Sequence, residues 1–89
     1  MKKNKKKVLK KIKPIFHKVF ENKKIKLKFT SSSKNISRWD SLAQINLVVN
    51  IEKLFKIRFN VSELSRLKNV GEMIDLIIKK IWKHISLKI

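Results

Sequence analysis

The sequence predicts a small all-α protein, a bundle of four helices with a long loop between the first two helices and a short third helix. Three observations lead to this fold class. The chain has 89 residues, which suits one domain with a modest core. Apolar side chains recur at helical spacing in separate segments, and the one stretch that alternates like a strand has no convincing partner strand.

The first helix is indicated by apolar residues at helical spacing from Val8 to Phe20. Before it, residues 1–7 (MKKNKKK) have no apolar periodicity and repel one another, so we expect a basic flexible tail ahead of a single domain of residues 8–89. Pro14 interrupts the pattern, because proline in a helix removes a hydrogen bond and clashes with an earlier carbonyl group. Either a kink at Pro14 or a helix proper that begins near Lys13 is compatible with this sequence.

Residues 21–40 form the long connection. The segment KIKLKF alternates apolar and basic side chains, and we interpret it as an extended loop whose Ile25, Leu27 and Phe29 pack inward. A polar stretch, TSSSKNIS, follows. Trp39 is expected to pack over the core beside the second helix.

The second helix is predicted over about Ser41–Lys56. Helical spacing assigns an inner stripe to Ile45, Val48, Ile51 and Phe55, with Leu47 and Leu54 flanking it. The same spacing assigns the outer face to Leu42, Asn46, Val49 and Lys53.

Two capping-box spacings predict the last two helices. Asn60 and Glu63 begin a short third helix that extends to about Leu67, and Asn69 and Glu72 begin the fourth. The core stripe predicted for the fourth helix consists of Val70, Met73, Ile74, Ile77, Ile81 and Trp82. Within that helix, Asp75 and Lys79 have the i,i+4 spacing of an ion pair.

The charge of the chain is unusually positive and uneven. Lys and Arg number 24 against six Asp and Glu, and 15 of those cations fall in residues 1–39, which contain one acid, Glu21. Such a cationic half can attract nucleic acid, an anionic membrane or an acidic partner.

Several function classes are disfavoured. The chain contains no cysteine, and His17 and His84 lie far apart, so a metal site is not expected and both histidines are assigned to solvated helix faces. Neither a nucleophile–base pair nor a glycine-rich phosphate loop is recognisable, so an enzyme with catalytic residues of its own is not expected. No apolar stretch approaches the roughly 20 residues that cross a bilayer, and we therefore expect a cytoplasmic protein.

The motif DSL at residues 40–42, followed by INLVVNIEKLFKIRF and VSELSRLKNVGEMIDLI, resembles the acyl carrier protein family without a gap from Asp40 to Ile77. The form WDSL is more similar to stand-alone carriers of specialised pathways. The resemblance implies an acyl-carrier-like bundle and a 4′-phosphopantetheine arm attached to Ser41 by a separate transferase, with the cargo carried as a thioester. Position supports this site, because a phosphodiester is favoured at a helix N-terminus, where Lys34 and Arg38 add positive charge.

Asp40 has two compatible roles: an N-cap of the helix and, by the resemblance, a contact that helps the transferase position its metal and the serine. The resemblance also implies that the outer face of the second helix docks partner enzymes, and Leu42 and Val49 match its apolar contact positions. Ala43, Asn46 and Lys53 stand where the family is commonly acidic, whereas Asp40 and Glu52 remain acids.

The partners implied are the phosphopantetheinyl transferase, an enzyme that loads an acyl or aminoacyl group, and a downstream acyltransferase or synthase, with the carrier itself a monomer. The scarcity of acids predicts that partners present neutral or acidic docking surfaces. Phe59 and Leu64 are bulkier than the residues usual at these positions, which slightly favours a short cargo, although core packing explains them equally well.

Two other functions stay open from the sequence. A basic helical domain can bind nucleic acid, although no helix carries Arg, Asn and Gln at base-reading spacing. The first helix can also bind an anionic membrane through its lysine face with Phe16 and Phe20, although core packing is the better use of these phenylalanines.

Overall fold

The computed structural model describes the backbone of residues 2–88 and the side chains of residues 5–81. Its helices are α1 (Lys2–Val19), α2 (Ser41–Phe55), α3 (Val61–Ser65) and α4 (Val70–Lys88). Residues 20–40 form one long loop that contains no strand. The predicted all-α fold, with its long first connection and short third helix, is confirmed.

Helix α1 begins at Lys2, whereas the sequence predicted a helix from Val8 onward, so the predicted start is wrong. Lysine is a good helix former. The Lys5 ammonium group also lies 2.8 Å from the Asp75 carboxylate of α4, which ties the first turns to the bundle. The predicted ion pair between Asp75 and Lys79 within α4 is therefore wrong. Asp75 pairs instead with Lys5 of α1.

The helix continues through Pro14, so the alternative of a helix that begins near Lys13 is wrong. Ile12 and Phe16, on either side of the proline, are completely buried, and their burial offsets the backbone hydrogen bond that proline removes. The kink at Pro14 and the flexibility of residues 1–7 stay predictions.

One hydrophobic core joins α1, the loop, α2 and α4, while α3 contributes no buried residue. Phe16 and Phe20 lie in this core, as expected. The buried apolar side chains are Val8, Ile12, Phe16, Phe20, Leu27, Ile36, Ala43, Leu47, Val48, Ile51, Ile57, Val70, Met73, Ile74 and Ile77.

The inner face of α2 differs from the predicted one. Leu47 is completely buried, whereas Ile45 is 58% exposed, so the assignment of Ile45 to the inner stripe is wrong. Ala43, Leu47 and Ile51 follow one another at intervals of four and form a single buried stripe. Ile45 lies two residues from both Ala43 and Leu47, which turns it to the opposite side of the helix.

The two predicted helix starts differ in detail. At α3 the capping box is complete: Asn60 Oδ1 accepts the Glu63 N–H at 2.8 Å, and Glu63 Oε1 accepts the Asn60 N–H at 2.9 Å. At α4 Asn69 Oδ1 accepts the Glu72 N–H at 2.9 Å, but Glu72 Oε1 accepts the Lys68 N–H, at 3.4 Å, rather than that of Asn69.

The long loop caps the start of α4 with its own backbone. The Val70 N–H donates to the Ser31 carbonyl at 2.8 Å, and the Gly71 N–H donates to the Phe29 carbonyl at 2.7 Å. These N–H groups belong to the first turn of a helix and have no partner within it. The loop is thus fastened across the bundle to α4.

The first half of the loop packs inward as predicted. Leu27 is buried, and Ile25 and Phe29 pack half-buried against the core. His17 is half-buried and its Nε2 lies 2.9 Å from the Ile25 carbonyl oxygen, a hydrogen bond that fastens the loop to α1. The assignment of His17 to a solvated face is therefore wrong.

Trp82 and His84 lie outside the residues whose side chains are described, so their predicted places in the core stripe and on a helix face are not addressed. Over the described part of the chain, no helix has the length and apolar character that crossing a membrane requires.

Replacing Gly71 by alanine is expected to lower the free energy of unfolding by about 1 kcal/mol. The new Cβ would lie 3.0 Å from the Phe29 carbonyl oxygen, which the Gly71 N–H holds in place. Overpacking typically costs about 1–3 kcal/mol, which exceeds the gain of at most about 1 kcal/mol in helix propensity. Urea unfolding measures the difference.

The matched control is Ser41→Ala, an exposed first-turn change expected to stay within about 0.5 kcal/mol of the parent protein. A Gly71→Ala protein as stable as the parent would contradict the tight contact between α4 and the loop.

Candidate functional site at the start of the second helix

Ser41 is the first residue of α2 and its side chain is exposed. Asp40 precedes it as the N-cap: its backbone is extended and its Oδ1 accepts the Ala43 N–H at 2.9 Å. The predicted capping role of Asp40 is confirmed. Because the first-turn N–H groups of Ser41 and Leu42 have no partner within the helix, they give this end a partial positive charge.

Trp39 fixes the chain just before the cap. Its indole N–H donates to Gln44 Oε1 at 2.7 Å. Its ring packs edge-on against Phe16 and at a tilt against Phe20, with ring centroids 5.4 Å and 5.9 Å apart. Trp39 packs over the core as predicted. The entry into α2 is therefore held by α1 on one side and by α2 itself on the other.

An open cleft of about 300 Å³ lies beside Ser41, and we call it the serine cleft. One wall comes from the loop and the start of α2, and the other from the chain around α3 and the start of α4. Its lining residues are Ser32, Ser33, Trp39, Asp40, Ser41, Gln44, Leu64, Leu67, Lys68, Asn69 and Met73.

Lys68 is the cation of the serine cleft, and sequence reasoning missed it. Lys34 and Arg38, which the sequence suggested for this role, do not line the cleft. Lys68 is 27 positions from Ser41 along the chain, so no local motif could have indicated their proximity. Of the two bulky residues noted in the sequence, Leu64 lines the cleft and Phe59 does not.

The outer face of α2 is apolar at its centre. Leu42 is 66% exposed and Val49 41% exposed, and Ile45 joins them because it lies three residues after Leu42 and four before Val49. Asn46 and Lys53 are also exposed on this helix. Sequence reasoning found this face but placed Ile45 in the core.

Glu52 differs from the other residues expected on this face. It is half-buried, and its Oε2 accepts the Phe59 N–H at 2.9 Å, so the carboxylate fastens the connection between α2 and α3. Asp40 is similarly engaged with Ala43. Asp40 and Glu52 therefore both stabilise the fold.

The short helix α3 is held to α4 by an ion pair. The Lys80 ammonium group lies 2.7 Å from Glu63 Oε1 and 5.8 Å from the centroid of the Phe59 ring. The hydrogen bond from Lys80, followed by that from the Asn60 N–H, lowers the pKa of Glu63. This pair keeps α3, which carries Leu64, against the serine cleft.

The geometry fits a phosphodiester-linked group on Ser41. The hydroxyl is exposed, the helix end is favourable for a phosphate, and the serine cleft provides an adjoining surface with one cation, Lys68. Among the residues whose side chains are described, no cluster of three or more His, Asp or Glu could hold a metal ion.

Comparison with known proteins agrees with this geometry. A family model described as phosphopantetheine attachment site matches residues 39–77. Among solved structures, the holo acyl carrier protein of Geobacter metallireducens, determined by solution NMR, is 41% identical; the alignment covers 88% of this chain and 90% of that chain, with a TM-score of 0.81. No curated protein sequence matches the chain.

A four-helix fold shared over most of both chains, together with the matched attachment-site segment, identifies the protein. The chain belongs to the acyl carrier protein family, whose members are not enzymes but carriers with covalently attached 4′-phosphopantetheine.

Proposed function

We propose that Ser41 bears the phosphopantetheine arm and that the protein carries an acyl or aminoacyl group on it as a thioester. The observation that supports this most directly is the exposed Ser41 hydroxyl at the capped start of α2, inside the matched segment and beside the serine cleft. The bound arm supplies the thiol, which a chain without cysteine does not have. The helix end and Lys68 favour the phosphate, and the cleft walls restrict the arm.

Co-expression with a broad-specificity phosphopantetheinyl transferase is expected to add the mass of one arm to the protein, measured by intact mass spectrometry. Ser41→Ala is expected to abolish the addition. Ser33→Ala is the matched control, because Ser33 is also exposed and lines the same cleft, and it should be modified as fully as the parent protein.

A parent protein that gains no mass would count against the carrier function itself. An addition that persists in Ser41→Ala but disappears in another serine variant would refute the site.

We propose that Asp40 has a second role beyond the cap, which is to help the transferase position its metal and Ser41. Its cap uses Oδ1, an oxygen that asparagine also has. The two roles can therefore be separated by substitution, since asparagine keeps the acceptor and loses the charge.

Asp40→Asn is expected to remain nearly as stable as the parent protein, while Asp40→Ala loses about 1 kcal/mol of helix capping. Both variants should lower kcat/KM of arm transfer, because neither presents a carboxylate. Thermal unfolding and transfer kinetics measured on the same samples separate the effects. Normal transfer of the arm to Asp40→Asn would contradict the second role and show that Asp40 acts only as the helix cap.

We propose that the loading enzyme and the downstream acyltransferase or synthase dock on the outer face of α2, at Leu42, Asn46, Val49, Glu52 and Lys53, with Ile45 added. The apolar centre is exposed, and Lys53 is a cation where the family is commonly acidic. Glu52 accepts the Phe59 N–H, so it offers little negative charge to a basic partner. This favours partners with neutral or acidic docking surfaces.

Lys53→Glu is expected to improve turnover of this carrier by a standard fatty-acid synthase set at low salt, because those enzymes present basic patches. Lys18→Glu is the matched control: it changes the net charge equally but lies exposed on α1. The parent protein should be a poor substrate in the same assay. Efficient turnover of the parent, or equal gains in both variants, would contradict the proposed docking preference.

The size of the serine cleft supports a short cargo. A volume of about 300 Å³ is at the lower end of ligand pockets, and Leu64, Leu67 and Met73 supply its apolar lining.

We also propose that the carrier is a monomer in the cytoplasm, as expected from the sequence.

A second candidate function is binding of nucleic acid or an anionic membrane through the basic first half. Five exposed lysines on one side of α1 favour it, namely Lys6, Lys7, Lys10, Lys11 and Lys18. Phe16 and Phe20 are buried in the core and are not available to insert into a bilayer. Such binding would therefore be electrostatic and steeply dependent on salt.

A further inference from the structure

A second cleft, of about 590 Å³, lies within the loop between α1 and α2, and we call it the loop cleft. It is lined by eleven residues between Phe20 and Arg38, and none of them lines the serine cleft. It is an open groove, large enough to hold a small molecule against the surface. The carrier function assigns no role to it.

The charged side chains of the loop cleft are three cations and one acid: Lys24, Lys26, Arg38 and Glu21. All four are exposed. Their sum of two positive charges matches the charge of roughly −1.5 to −2 on a phosphate monoester at neutral pH. Arg38 can bind phosphate oxygens with two parallel N–H groups, while the lysines act as point charges.

The two asparagine side chains of the loop cleft accept backbone hydrogen bonds through their amide oxygens. Asn22 Oδ1 accepts the Lys24 N–H at 2.9 Å, and Asn35 Oδ1 accepts the Ser32 N–H at 3.2 Å. The amide NH₂ groups of Asn22 and Asn35 can therefore serve a ligand that offers acceptors. Half-buried Ile25, with the small exposed parts of Phe20 and Ile36, each 7% exposed, adds a limited apolar lining for an organic portion of that ligand.

The backbone is unusual at one residue of this cleft. Arg38 has φ 68°, in the left-handed region that residues other than glycine seldom adopt. Glu21 also has a positive φ, 50°, but it directly follows the last turn of α1, where the Asn22 N–H donates to the His17 carbonyl, and this is an ordinary helix end. A left-handed backbone at a residue other than glycine can mark a ligand-binding site, and Arg38 is the residue of the cleft to which this applies.

From this combination we infer that the loop cleft binds a phosphate monoester attached to a small apolar body. The phosphate meets Lys24, Lys26 and Arg38, the amide groups donate to its remaining oxygens, and the apolar lining covers the rest. None of its lining residues lines the serine cleft, and its ligand is a monoester whereas the carrier arm holds a phosphodiester, so the ligand is a second molecule and not the arm.

The test is an NMR titration of the full-length holo protein with phenyl phosphate at about 0.15 M ionic strength, where long-range attraction is largely screened. The side-chain signals of Asn22, Asn35 and Arg38 should shift together, with a dissociation constant of roughly 1 mM or tighter. Inorganic phosphate should bind more weakly, because it leaves the apolar lining uncovered. Binding should persist in Ser41→Ala, which separates this site from the carrier function.

Two double variants with equal charge change locate the site. Lys24→Gln with Lys26→Gln should weaken binding by about tenfold or more, the worth of one charge-assisted hydrogen bond. Lys28→Gln with Lys34→Gln removes two exposed lysines of the same loop that do not line the cleft, and it should change affinity by about twofold or less. Equal losses in the two variants, or no binding in the parent protein, would overturn the proposal.

Arg38→Gly separates ligand binding from folding. Glycine accepts a positive φ without strain, so this variant should be at least as stable as the parent protein while it binds phenyl phosphate more weakly. Glu21→Gln should bind more tightly, because it removes the one negative charge of the cleft. Unchanged affinity in both variants would contradict the assignment of these residues to the site.

The ligand can be a free ester or the headgroup of a lipid, and a second arm of the experiment distinguishes them. Phosphatidylcholine vesicles with and without phosphatidic acid are sedimented with the parent protein and the two double variants. Co-sedimentation that needs phosphatidic acid and is lost with the Lys24 and Lys26 change assigns the site to a lipid headgroup. Phenyl phosphate binding without such co-sedimentation assigns it to a free ester.

Discussion

The rest of the structure depends on two backbone hydrogen bonds between the long loop and the first turn of α4. The Ser31 carbonyl accepts the Val70 N–H, and the Phe29 carbonyl accepts the Gly71 N–H, at 2.8 Å and 2.7 Å. They satisfy donors that a helix start cannot satisfy internally and hold the loop across the bundle. The serine cleft has the loop on one side and the start of α4 on the other, so these bonds join its two walls. Ser31 itself lines the loop cleft, so the two clefts lie on either side of one anchor point.

The distribution of charge follows from how the few acids are used. Each of the five acids from Asp40 onward makes a described internal contact, with an N–H group or with a lysine of another helix: Asp40, Glu52, Glu63, Glu72 and Asp75. Most lysines and arginines with described side chains are instead exposed. The acids thus stabilise helix ends and connections, and the outer surface is dominated by cations. The outer face of α2 therefore carries little negative charge, because Asp40 and Glu52 are engaged within the fold.

The functional elements are distributed over two ends of the same loop. Its last residues, Trp39 and Asp40, fix the start of α2, where the exposed serine and the apolar outer face begin. Its first residues and Arg38 enclose the loop cleft, whose donors and cations suit an anionic ligand. Trp39 packs against Phe20, which lines the loop cleft, so ring packing connects the two regions directly.

The sequence by itself determined the four helices, the cap at Asp40, the capping box at Asn60 and the family, because caps and helical periods depend on residues within a few positions of one another. Only the tertiary structure decided which apolar side of α2 is buried. Ile45 and Leu47 are equally apolar, and the packing of α1 against the Ala43 side leaves Ile45 outside. The tertiary structure also decided three pairs of neighbours: Lys68 lies with Ser41 in the serine cleft, Lys5 pairs with Asp75, and His17 bonds to the Ile25 carbonyl. These neighbours are brought together by chain folding over many residues, and no local pattern encodes a contact of that kind.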